Sequence, residues 1–328
     1  MKYSSKLSPR QTEQAIKTVR DSFEDRLCTA LNLSRVSAPM MVRPESGLND
    51  DLNGVERPVQ FDCLDGVENV TVVHSLAKWK RQALKRYNFA VGEGIYTDMN
   101  AIRRDEIMDN LHSIYVDQWD WEKVIDKDQR NLDTLKSHVR KIVDCICDVK
   151  EILKQQYPAL SLSINRDVCF ITSEELLQKY PNLPAKEREN ALCKECGTVF
   201  VMQIGDRLSN GEKHDGRAPD YDDWALNGDL LFWYEPLNCA LEISSMGIRV
   251  DSKSLYSQLQ KADALNRLEF PFHKALYNNE LPLTIGGGIG QSRLCMLILE
   301  KKHIGEVQAS VWNDRVHKKC EEEGIILL

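Results

Sequence analysis

The sequence predicts an α+β fold, an antiparallel or mixed β-sheet flanked by helices, on three observations. Two long segments repeat apolar residues at steps of three and four, a series of short β-rich runs lies between and after them, and irregular loops separate those runs more often than regular helices do.

In chain order, residues 9–31 set Ile16, Val19, Phe23, Leu27 and Leu31 along one helical face. The runs ENVTVVH (68–74) and HSIYVDQW (112–119) read as strands. A second, stronger amphipathic helix spans 131–155 through Leu135, Val139, Ile142, Val143, Ile146, Val149 and Ile152. After VCFIT (168–172), Thr172 and Glu175 form a capping box for a short helix that ends near Tyr180, before Pro181. TVFVMQI, DLLFWYE and CALEISS supply further strands, and no linker, repeat or charged tail interrupts residues 1–328, so one catalytic-sized domain is expected.

The 328-residue chain has 43 basic and 50 acidic side chains, a net charge of −7, and a pI near 5.6. That balance disfavours a nucleic-acid partner. No stretch approaches the roughly 20 apolar residues of a bilayer span, and MKYSSKLSPRQTEQ has no apolar signal core, so a cytoplasmic protein without membrane association is expected. Ten scattered cysteines suit reduced thiols, and the Cys193/Cys196 pair, with no second pair at zinc spacing, reads as a helix end before Gly197.

Three segments carry chemistry. In TIGGGIGQSRLCMLIL (284–299), Gly286, Gly288 and Gly290 lead into an apolar helix with Arg293 in its first turn. Bare glycines admit a close ligand, and a helix N-terminus favours an anion. The P-loop Lys-Ser/Thr is missing, and Gln291 stands where a dinucleotide fingerprint needs its last Gly. In AIRRDEIMDNLHSIYVDQWDWE (101–122), an Arg-x-acidic element at Arg103 and Asp105 precedes a loop and a strand. Alternation from His112 would put His112, Ile114, Val116, Gln118 and Asp120 on one face. In HSLAKWKRQALKRY (74–87), a basic helix would ordinarily present a solvated face.

The first two segments resemble motifs 3 and 2 of class II aminoacyl-tRNA synthetases, and the third resembles the SPQLYKQ-type segment of the aspartyl and asparaginyl enzymes. With the runs GEGIYTDM, YVDQWDWE, RAPDYDDW, LNGD and SSMGIRVD, residues 9 to about 315 resemble the ammonia-dependent aspartate ligases known as asparagine synthetase A. The resemblance implies a class II synthetase-like core without an anticodon domain, a homodimer, and ATP and Mg²⁺ as requirements. It implies that Arg103, His112, Gly288, Gly290 and Arg293 bind ATP, and that Ser75, Lys80, Gln118, Asp120, Asp222, Ser244, Ser245 and Arg249 surround aspartate. Arg103 and Gln118 would serve catalysis, Glu242, sharing a strand face with Ser244, would hold Mg²⁺, and Asp50 or its neighbour Asp51 would be the base for ammonia. Lys2 replaces the N-terminal cysteine that glutamine-dependent synthesis uses, so free ammonia is the expected nitrogen source. The rival readings are a synthetase paralogue that passes an activated amino acid to tRNA and a binding protein that senses substrate without turnover.

Overall fold

The computed structural model describes residues 2–50, 52 and 56–328. Its strands are β1 (Leu33–Arg35), β2 (Met41–Val42), β3 (Gln60–Cys63), β4 (Val67–Val72), β5 (Gly94–Ile102), β6 (Tyr115–Val124), β7 (Cys169–Thr172), β8 (Thr198–Met202), β9 (Asp222–Tyr234), β10 (Cys239–Arg249) and β11 (Thr284–Gly290). Its α-helices are α1 (Pro9–Leu31), α2 (Ala77–Arg86), α3 (Leu132–Gln156), α4 (Ser173–Lys179), α5 (Ala185–Cys196), α6 (Ser252–Lys261), α7 (Pro271–Tyr277), α8 (Gln291–Leu299) and α9 (Asp314–Glu323).

Among the described residues, an eight-stranded sheet runs β1-β5-β6-β11-β10-β9-β8-β7, and a small sheet runs β2-β4-β3. The pairings from β5 through to β8 are antiparallel, while the edge strands β1 and β7 add in parallel. The sheet is therefore mixed with an antiparallel centre.

Local signals set the two long helices. Ser8 caps α1 in a reciprocal box with Gln11, Pro9 opens it, and Asn32 ends it in the left-handed region. Asn131 caps α3 through the Thr134 N–H. Their apolar rows, with α8, cover one face of the sheet and pack on Trp119, Trp121, Phe232, Met246 and Ile285. Each such side chain, fully buried, contributes roughly 1.5–3 kcal/mol of transfer free energy. On the other face α5 packs against Val199, Val201, Leu231 and Ala240, which alternate with the residues of the main core. The capping box at Thr172 and Glu175 forms as expected. Helix α5 ends at Cys196, and Gly197 follows at φ 80°, a conformation that glycine adopts without a Cβ penalty. All ten cysteines are free thiols.

Three readings need correction. Strand β6 begins at Tyr115, so His112 belongs to the preceding turn rather than to the strand face. GIYTDMNAI, unread as a strand, forms β5 and pairs with β6 along its whole length. Helix α2 turns Lys78, Lys80 and Arg81 inward, because carboxylates and carbonyls of the sheet and its loops satisfy them there. Among the described residues no helix is long and apolar enough to cross a membrane.

Candidate active site

The face of the sheet opposite α1, α3 and α8 opens into a cavity of about 390 Å³. Alternation along β6 builds its floor. Trp119 and Trp121 enter the core, while Gln118 and Asp120 line the cavity and Glu122 lies just beyond them. Strand β11 crosses alongside, with Gly286 opposite Glu122 and Gly288 opposite Asp120. A Cβ on Gly286 would stand 2.0 Å from a Glu122 carboxylate oxygen and 2.7 Å from Nη2 of Arg249. One on Gly288 would stand 2.3 Å from Oε1 of Gln118. These glycines make room first for the protein's own polar side chains, and Gly288 and Gly290 also form part of the cavity wall. Gly286→Ala is expected to destabilise the fold by about 3–5 kcal/mol, the scale of breaking a buried ion pair. Urea unfolding measures it, and a loss below about 1 kcal/mol would mean that Glu122 and Arg249 move aside.

The Glu122–Arg249 pair is central to the floor. Nε and Nη2 of Arg249 donate to Glu122 at 3.0 and 2.8 Å, Nη1 donates to Asp222, and all three side chains are buried. Burial opposes ionisation of Glu122, yet the guanidinium beside it holds its carboxyl below the usual range. Arg249 and Asp222 both reach the cavity. Lys80 lies behind the wall, its ammonium donating to Asp120 at 2.8 Å and to the carbonyls of Trp121 and Gly287. It orients Asp120, whose other oxygen accepts from the Leu76 N–H at 3.1 Å.

Beyond β5, Arg103 lines the cavity at the base of the β5–β6 hairpin, where its N–H donates to the Ile114 carbonyl at 2.8 Å. Its Nε is buried without a hydrogen-bond partner among the described residues. His112 also lines the cavity, held in its turn by Asp109, which accepts from the His112 N–H at 2.8 Å and meets Nδ1 at 2.9 Å.

Opposite them, β10 slips register between Glu242 and Ser244, so Glu242 opposes Leu231 and Ser244 opposes Leu230. Glu242 and Ser244 therefore do not share a strand face as simple alternation requires, although both line the cavity with Ser245. The Ser244 hydroxyl donates to the Gly288 carbonyl at 2.9 Å. Arg293 lines the cavity too, with Nη1 donating to the Glu242 carbonyl at 3.1 Å and standing 3.8 Å from its carboxylate. The α8 N-terminus, expected to meet a ligand anion, is capped by Asp117, which accepts from the N–H and hydroxyl of Ser292 at 3.0 and 2.8 Å. A carboxylate there satisfies the same orphan donors and dipole that a phosphate would.

Asp50 lies buried on the cavity wall with Ser75 nearby on the same wall. Asn49 braces its loop, accepting from the N–H groups of Asp50 and His74 at 2.9 and 2.8 Å and donating to the Val72 carbonyl at 3.1 Å. One Asp50 carboxylate oxygen accepts from the Leu52 N–H at 2.9 Å. Burial pushes the Asp50 carboxyl above its ordinary value, with Lys78 acting in the opposite direction. Asp51, the alternative base, lies outside the described residues.

The cavity thus gathers every site residue named from the sequence within the described chain except Lys80, which stands one layer back. It also adds Arg217 and Asp229, joined by a 2.6 Å hydrogen bond. Burial raises the Asp229 carboxyl to about 7, Arg217 opposes that shift, and the Glu242 charge adds to it. Both residues belong to quoted runs, RAPDYDDW and LNGD, and alternation from Gln118 reaches Glu122, so the signals for all three were present.

A family model for aspartate–ammonia ligase matches residues 10–324. The aspartate–ammonia ligase of Clostridium perfringens is 59% identical over 327 residues, covering 99% of this chain and 97% of its own. That of Ligilactobacillus salivarius is 58% identical, covering 99% and 98%. Among solved structures, asparaginyl-tRNA synthetase from Pyrococcus horikoshii complexed with asparaginyl-adenylate superposes with a TM-score of 0.66 at 16% identity, over 92% of this chain and 70% of that one. The Entamoeba histolytica asparaginyl-tRNA synthetase gives 0.65 at 14%, over 92% and 66%. The synthetases share the architecture alone, whereas the ligases match almost from end to end: the chain belongs to the aspartate–ammonia ligase family.

Proposed function

We propose that this site makes asparagine in two steps, activating the β-carboxylate of aspartate with ATP and then transferring ammonia to it. The observation that carries the reading is the pairing on one cavity of Arg103, with a buried unpartnered Nε, and Asp50, a buried carboxylate of raised pKa. The first is suited to a phosphate and the second to a proton.

In the first step a β-carboxylate oxygen attacks the α-phosphorus, and pyrophosphate leaves. Arg103 bonds the α-phosphate oxygens as charge develops there, His112 and Arg293 hold the outer phosphates and adenine, and Gly288 and Gly290 leave room for the nucleotide. Gln118 orients the reacting carboxylate. Asp120 and Asp222 meet the α-ammonium of aspartate, while Arg249, Ser75, Ser244 and Ser245 meet its carboxylates. Lys80 acts through Asp120. In the second step the ammonia nitrogen attacks the acyl carbon, a proton passes to Asp50, the carbon–oxygen bond to phosphate breaks, and AMP leaves.

Among the described residues no three His, Cys, Asp or Glu side chains converge as a metal cage. Magnesium at nucleotide sites is held by one or two carboxylates plus substrate phosphates. Glu242 and Asp229 fit that role, because their charges act on each other at the cavity wall. Bound there, Mg²⁺ would neutralise phosphate charge.

With aspartate, ATP and Mg²⁺ and no tRNA, asparagine and AMP are expected with ammonium and neither with glutamine. AMP formation that waits for tRNA, or substrate binding without turnover, would replace this reading. A cytoplasmic homodimer belongs to the same proposal, on the strength of the family resemblance, and a monomeric mass by light scattering would remove the dimer.

A further inference from the structure

Arg217 lines the cavity, yet the two steps above leave it without a role. Its side chain is only 11% exposed, and Nη2 donates at 2.6 Å to Oδ1 of Asp229, whose side chain is 6% exposed. Nε is buried without a hydrogen-bond partner among the described residues. A guanidinium carries five donors, so the bond to Asp229 leaves this group with unused capacity on a cavity wall.

The backbone on either side of Arg217 is pinned. Nε2 of His214 meets Oε1 of Glu189 on α5 at 3.0 Å, and the Ala218 carbonyl accepts from the Trp224 indole at 3.3 Å. A change of partner by Arg217 is therefore a rotation of its side chain alone.

Asp229 is one of the two carboxylates assigned above to Mg²⁺. Across the β9–β10 ladder Asp229 opposes Ser245 and Glu242 opposes Leu231, so the two acids are diagonal neighbours on one face of the sheet. Each has a guanidinium beside it, Arg217 on Asp229 and, at longer reach, Nη1 of Arg293 at 3.8 Å from the Glu242 carboxylate. A lone divalent cation would have to displace that charge without offering the arginine another anion. A triphosphate changes the balance, because its oxygens suit the guanidinium fork and also complete the coordination of the metal.

We propose that Arg217 is a phosphate ligand held in reserve: Asp229 keeps it in the free protein, and it passes to the triphosphate when the divalent cation of the nucleotide takes over Asp229. Metal and nucleotide then bind together rather than one after the other. The inference rests on the reading of Asp229 and Glu242 as the metal ligands.

The test is the affinity for ATP in EDTA, measured by calorimetric titration without aspartate, in a cycle of Asp229→Asn, Arg217→Met and the double variant. Asp229→Asn frees the guanidinium, and one charge-assisted hydrogen bond gained to phosphate is expected to tighten metal-free ATP by about ten- to a hundred-fold. In the Arg217→Met background the same substitution is expected to gain less than about threefold. An equal gain in both backgrounds would mean that Asp229 merely repels the phosphates, and no gain in either would mean that Arg217 stays where it is; both overturn the proposal. If a variant does not fold, Arg217→Lys and Asp229→Ser take the two places and the same comparison decides. Titration with Mg²⁺ present separates the two readings. If Mg²⁺ strengthens ATP binding as much in Asp229→Asn as in the unaltered protein, the metal reading of Asp229 fails whatever the cycle shows.

Discussion

Asparagine formation by Asp50→Asn is expected to fall by about 10²–10⁴-fold, the range a positioned general base supplies, while aspartate-dependent ATP–pyrophosphate exchange continues. The two rates separate because only the second step needs a proton acceptor. Asn is nearly isosteric and still accepts the Leu52 N–H through its oxygen, so the loop braced by Asn49 should keep its shape. The pH dependence follows in sign from the raised carboxyl. As pH falls through that raised value Asp50 takes up a proton and cannot take the one from ammonia, so synthesis declines at a pH above the ordinary aspartate range near 3.9. The variant should lose that limb in its residual rate. Collapse of exchange would move Asp50 into the first step, and unimpaired synthesis would pass the role of base to another group, Asp51 first.

For Arg103→Lys the expected loss falls on both reactions. A lysine keeps the charge and gives up the fork, removing one or two charge-assisted hydrogen bonds worth on the order of 1.5–3 kcal/mol each. That corresponds to a roughly ten- to several-hundred-fold fall in kcat/KM for ATP. Because the Arg103 backbone closes the hairpin through its own N–H, the side-chain change should leave the fold intact, and thermal unfolding checks that. Turnover close to that of the unaltered protein would take Arg103 out of the phosphate site.

The long helices, most of the strands and the capping box at Thr172 were legible because each depends on residues a few positions apart. Ile16 to Leu31 and Leu135 to Val149 repeat at the helical period, and the structure buries those rows. GIYTDMNAI escaped notice as a strand because a glycine, an aspartate and an asparagine interrupt its pattern, and its pairing with β1 and β6 makes it one. The start of β6 was misplaced by three residues because the turn that carries His112 is set by Asp109, a hydrogen bond that propensity does not report.

By itself, then, the sequence determined the α+β class, because periodicity and caps are local properties of the chain, and its resemblance to a known family supplied the motif positions that gather on one cavity. Tertiary structure decided which charges face a ligand and which hold the protein together. Lys80, Arg81 and Lys78 look alike on a basic helix, yet Asp120, the carbonyls of Val250 and Pro282, and Asp220 claim them from positions 40 to 201 residues away. Asp117 likewise claims the α8 N-terminus from 175 residues before it. The physical reason is that a buried ion or helix end must be answered by whatever group the fold brings next to it, and that group is set by packing rather than by spacing.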